Sequence, residues 1–179
     1  RLFARFGVCR VVAVGLALTA ASAAGVRTGG HVLLGWLTMI LLGLAKTYVS
    51  YAYGWVQDEW ELADEKGEFE KADRLEQRIQ LMYRRAADLA LRAVRAHDGT
   101  GKLDEKLKTD KVEVVKAYLA EEFTDQEDVA ALYWAGLAWG SAIANSGGDL
   151  SELAHAPVAR LLLERSIELD PSFNDAGGL

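Results

Sequence analysis

The sequence predicts an all-α protein, a truncated solenoid of TPR-like helical hairpins with about five to six helices. Three observations lead there. No sustained run alternates apolar and polar residues as a half-buried strand would. The only two prolines, Pro157 and Pro171, sit where helices begin and end. Apolar residues recur at steps of three and four along most of the chain.

Each element follows from that spacing. From Leu37 to Glu65, Leu41, Leu44, Tyr48, Tyr51 (or Ala52) and Trp55 mark one helical stripe, and Gly67 is a break or kink. A second helix runs from Glu68 to Ala96. Its apolar face carries Phe69, Ala72, Leu75, Ile79, Met82, Ala86, Leu89, Ala90 and Val94. His97-Asp-Gly-Thr-Gly101 ends it, as glycines past a helix do. Residues 102–111 are highly charged and read as a loop or exposed turn. Val112–Glu121 is a short helix with Val115 and Leu119 inward and Tyr118 as a further candidate. Thr124-Asp-Gln-Glu127 has the form of a capping box before an apolar run. The helix that follows, Val129 to Asn145, is apolar nearly all round, so it should be central. Pro157 opens the last helix, and Asp170-Pro171 closes it.

The repeat character lies in those last two helices. Counting back from Pro171, Ser166 and Ala159 occupy small-residue positions and Leu163 the large apolar one of a tetratricopeptide second helix. Trp134, Leu137, Ala138 and Ser141 follow the first-helix frame, with Ala in place of Gly and Ser in place of Tyr. The stretch between Ser141 and Ala159 is longer than in a standard repeat. Its Asn145-Ser-Gly-Gly-Asp149 portion reads as an enlarged loop. Ending at Gly177-Gly178-Leu179 and starting at Arg1, the chain reads as a fragment cut at both ends. An uncapped solenoid end should leave Leu161, Leu162, Ile167 and Phe173 partly open and favour self-association, so a homo-oligomer is one expected partner state.

Charge divides the chain. Residues 1–57 hold no acid, and their basic residues are Arg1, Arg5, Arg10, Arg27 and Lys46. All 26 acids follow from Asp58 onward, and the net charge is −6. An acidic helical part argues against a phosphate-backbone partner, so no nucleic acid is expected. Residues 1–37 form a basic apolar N-terminal segment, signal-like or mis-framed, and residues 38–179 the helical domain. Val11–Ala24 has the apolar character of a secretory signal, with Ser22-Ala23-Ala24 as a small-residue cleavage site. Membrane association through this segment is a further expectation. Val32–Ala45 is shorter than the about 20 residues a span needs, although it merges into an apolar stretch reaching Val56. Cys9 is the single cysteine, which excludes an intrachain disulfide.

Tyr48-Val-Ser-Tyr-Ala-Tyr-Gly-Trp-Val-Gln-Asp-Glu59, Leu132-Tyr-Trp-Ala-Gly-Leu-Ala-Trp-Gly140 and Leu163-Glu-Arg-Ser-Ile-Glu-Leu-Asp-Pro171 together resemble the T-component (TatT-like) proteins of tripartite ATP-independent periplasmic (TRAP) transporters. The resemblance covers about residues 38–179. It implies a periplasmic or outer-membrane-associated helical protein, often lipid-anchored, whose partner is a periplasmic solute-binding protein. Cys9 precedes the apolar run, so it does not fit the position of a lipid-bearing cysteine.

The candidate ligand or partner groove is Tyr48, Tyr51, Tyr53, Trp55, Asp58 and Trp139. For the aromatic set, which also includes Trp134, core packing outweighs a groove lining, and Tyr53 is the member off the main stripe. Asp58, Glu59 and Glu61 read first as a solvated helix face and second as a charged patch for a partner. His31, His97 and His155 are isolated, and no metal spacing, nucleophile elbow or phosphate loop occurs. No catalytic residue, metal or cofactor is therefore assigned, and the expected function is non-enzymatic: assisting TRAP-type solute uptake, with a hydrophobic ligand as an additional cargo. The alternatives are a small membrane-embedded protein with a cytosolic helical domain, or a generic cytosolic TPR scaffold.

Overall fold

The computed structural model describes residues 31–108 and 111–174. The signal-like segment, Cys9 and the chain's last five residues lie outside them. The chain divides into two compact units, 1–36 and 37–179. All described residues outside connecting turns are helical, and no strand occurs among them. The elements are α1 (His31–Tyr51), a π-helical turn (Ala52–Val56), α2 (Gln57–Glu65), α3 (Phe69–His97), α4 (Leu103–Leu107), α5 (Val112–Glu122), a 3-10 turn (Gln126–Asp128), α6 (Val129–Ala144), α7 (Leu150–Leu153) and α8 (Ala156–Leu169). No described helix is long and apolar enough to cross a membrane.

The apolar spacing of the sequence becomes packing around α6. This helix lies against α3 on one side and α8 on the other, which is why its sequence is apolar nearly all round. One core cluster joins Ala90 and Val94 of α3, Leu103 and Leu107, Val115 and Leu119, Phe123, Leu132 and Ala135, and Leu161 and Leu162. The other joins Val49, Ala52, Val56 and Ala63 to Leu75, Ile79, Met82 and Ala86 of α3 and to Ala138 and Ala142. Trp134 and Trp139 pack against both. They bridge the two halves of the core, and Trp134 also meets Tyr133 edge-on at 5.3 Å, while Lys46 sits over its ring at 5.4 Å.

Close approach of α6 and α8 is set by Gly136. A β-carbon there would lie 2.7 Å from Leu163 Cγ, 2.9 Å from the Ala159 carbonyl and 3.0 Å from the Leu163 nitrogen. Ala159 and Ser166 are buried, as their small size requires. The close approach to α8 thus falls on Gly136 rather than on Ala138, and Trp134 is half-buried.

Four further expectations are corrected. Residues 103–107 form a helical turn rather than a loop, because Leu103 and Leu107 are both buried. The capping box is one residue later: Asp125 caps the 3-10 turn and Asp128 returns the bond to the Asp125 N–H at 3.1 Å. Leu161 and Leu162 are buried rather than open, because α5 packs on α8 and covers them. Phe69 is 67% exposed, since it stands in the first turn of α3, ahead of the core contacts that begin at Ala72.

Two polar arrangements close the helix ends. Arg165 of α8 donates from Nε and Nη2 to the Phe123 carbonyl at 3.0 and 2.8 Å, occupying an acceptor at the end of α5. Asp98 folds the α3–α4 connection. Its carboxylate accepts from the Thr100 and Leu103 N–H groups at 3.0 and 2.8 Å and from the Tyr118 hydroxyl at 2.6 Å. Desolvation pushes the Asp98 carboxyl up, but the bonds from Tyr118, Leu103 and Thr100 outweigh it and hold the group below its ordinary value. Burial, followed by the hydrogen bond to Asp98, pushes the Tyr118 hydroxyl up to about 12.

Candidate functional site

A π-helical turn at Ala52–Val56 interrupts an otherwise continuous helical run from His31 to Glu65. Such turns widen the helix by one residue and re-aim the side chains around it. Here Ala52 and Val56 stay buried while Tyr53 and Trp55 are 68% and 69% exposed. Tyr51 precedes them at 40% exposure, with the Arg78 guanidinium 5.7 Å from its ring centre. From Trp55 in the turn onward, Trp55, Asp58, Glu59 and Leu62 follow helical spacing, and all four are exposed. The exposed leucines and isoleucine of α1, Leu37, Ile40 and Leu44, continue this ridge toward the N-terminal side.

Acid follows the exposed aromatics along the chain. Asp58, Glu59, Glu61, Asp64 and Glu65 all lie in α2, and among the described residues none is in an ion pair. The surface therefore combines bulky apolar anchors with an uncompensated negative rim.

The six sequence-predicted site residues separate into three groups. Tyr51, Tyr53, Trp55 and Asp58 are all exposed; Tyr51, Trp55 and Asp58 follow helical spacing, and Tyr53 lies two residues off it. Core packing, the weightier expectation for the aromatic set, fails for these three aromatics, which are 40%, 68% and 69% exposed. Tyr48 is half-buried against the second core cluster and lines an open groove of about 380 Å³ with Leu81, Arg84, Arg85, Asp88 and Leu89. Trp139 is apart from the ridge: its indole is half-buried and tilted against the His155 ring, centroids 5.4 Å apart.

Sequence reasoning missed Leu62, Leu81 and Arg85. The signal for Leu81 was present: it is a leucine off the stripe formed by Leu75, Ile79 and Met82. Among the described residues no group of His, Cys, Asp and Glu could hold a metal ion. The His97 Nδ1–Asp128 Oδ1 contact at 2.9 Å joins the end of α3 to the turn before α6.

The fold and site together define an all-helical protein whose prominent chemistry is an aromatic, acid-rimmed surface. The chain belongs to the TRAP transporter T-component family, whose model matches residues 38–178. It is thus an accessory component of TRAP transport. No curated protein matches the chain.

Proposed function

We propose that this chain is a non-enzymatic, exported component that assists TRAP-type solute uptake by docking a periplasmic solute-binding protein on the ridge of Tyr51, Tyr53, Trp55 and Asp58. The carrying observation is that Tyr53 and Trp55 are more than two-thirds exposed on a π-helical turn beside unpaired carboxylates. Trp and Tyr are the residues that most often anchor protein interfaces, because each brings a large area at little entropy cost. Burying both in an interface would remove their apolar area from water. The acid rim fits a partner face with Lys and Arg around an apolar pocket, and steers its approach.

The family match supports the transport role, and membership directs the search for a partner to the solute-binding protein of the same system. Its natural setting is the periplasm, at or near the outer membrane. Co-purification of the chain with that solute-binding protein, expressed together in the periplasm, tests the reading. A stable complex is expected at low salt and a weaker one at high salt. Two separately eluting proteins at every salt concentration would contradict it.

A further inference from the structure

We propose that Arg78 of α3 is a positioning residue of the docking ridge, whose guanidinium holds the Tyr51 ring in the orientation that a partner meets. This role rests on the docking reading above. Its basis is a contact between two helices. The Arg78 guanidinium carbon lies 5.7 Å from the centre of the Tyr51 ring, within reach of a cation–π attraction. Tyr51 ends α1, directly before the π-helical turn, and Arg78 lies in α3. Both residues are exposed, so burial does not fix either side chain.

The arrangement is particular to Arg78. A charged residue on a helix surface meets the residues three and four positions away. Around Arg78 these are Arg74, Leu75, Leu81 and Met82, none of them acidic. Every other arginine of α3 has an acid at one of those positions: Glu70 for Arg74, Asp88 for Arg84, Arg85 and Arg92, and Asp98 for Arg95. The charge of Arg78 is thus left for the aromatic face beside it, on which a planar guanidinium can stack. A surface side chain loses rotamer freedom when a partner closes over it, and that loss is subtracted from affinity. A ring already held by Arg78 has lost part of that freedom beforehand. Tyr51 is 40% exposed, against 68% and 69% for Tyr53 and Trp55, over whose rings no cation lies among the described residues.

A double-mutant cycle with the solute-binding protein of the same system tests this role. Arg78→Gln should weaken binding about two- to fivefold, the size of an exposed cation–π contact, with an unchanged thermal melt. Arg78→Lys should recover part of the loss, since an ammonium keeps the charge but not the plane. In a Tyr51→Ala background Arg78→Gln should change nothing further. A loss of the same size in that background would mean that Arg78 meets the partner directly, and would overturn the proposal. A reading free of the partner comes from NMR of the full chain. The Arg78 δ-protons should be shifted upfield by the ring face and return to the ordinary arginine range in Tyr51→Leu; the same position in both chains would also overturn it. If Trp55→Ala weakens binding while Arg78→Gln does not, the positioning role fails and the docking reading stands. No complex with the wild-type chain would remove the docking reading and this role with it.

Discussion

Two glycines one turn apart in α6 should respond to the same substitution with opposite signs. At Gly136 an added methyl meets Leu163 Cγ at 2.7 Å and two backbone atoms of α8, the Ala159 oxygen and Leu163 nitrogen, at 2.9 and 3.0 Å. A side-chain tip could rotate away, but the backbone of a packed helix cannot. The pair α6–α8 must therefore separate by several tenths of an ångström along a contact that buries Ala159, Leu162 and Ser166. Overpacking of this kind costs about 1–3 kcal/mol, and the backbone contacts put Gly136 at the upper end. Alanine's better helix propensity returns about 1 kcal/mol. Gly136→Ala should lose about 2 kcal/mol net, a fall of roughly 4–8 °C in Tm for a chain of this size. At Gly140 nothing lies within 4 Å of the added carbon, so only the propensity gain of about 1 kcal/mol remains. Urea and thermal unfolding followed by circular dichroism measure both. Stabilisation by both substitutions would refute the close approach of α6 and α8.

Further outcomes follow from the same packing. Trp134→Ala should cost about 3 kcal/mol, the lower end for a large aromatic because the indole is half-buried, yet it bridges both core clusters; equilibrium denaturation reads it. Arg165→Ala should cost about 1.5–3 kcal/mol by freeing the Phe123 carbonyl, and Arg165→Lys should recover little, because the bond geometry uses two guanidinium nitrogens. For pH dependence, Tyr118 is raised on folding, so its contribution is complete below about pH 10, the unfolded value, and declines as pH rises toward about 12. Tyr118→Phe should lessen that alkaline fall without abolishing it, since burial also raises Tyr83. On the acid side, Asp98 is lowered, so its contribution is present above the ordinary carboxylate range and is lost as pH falls below it. Tyr118→Phe should shrink this acid-side loss as well.

The helices were legible because most are amphipathic. The α3 stripe from Ala72 to Val94 identifies its buried face directly, and Pro157 and Asp170-Pro171 mark α8 as clearly as local chemistry can. The short α4 was hidden inside a charged run, since only Leu103 and Leu107 betray it and both are buried by distant elements. The exposed ridge was harder to read. Tyr51 and Trp55 share the spacing of core residues yet both are exposed, and the π turn at Ala52–Val56 leaves no periodicity of its own. Likewise, Trp134 stands out by size, whereas the close approach of α6 and α8 depends on the smallest residue nearby, Gly136.

The central claim, docking through the π-turn aromatics, is tested most directly by titrating the cognate solute-binding protein into wild-type chain and into Trp55→Ala. Trp55 is 69% exposed, so its loss should leave the Tm within about 1 °C, as for a surface substitution. The account predicts an unchanged melt together with affinity weakened by at least about 2 kcal/mol, roughly thirtyfold, as for an interface anchor. Equal affinity of the two chains, with both folded, would contradict it.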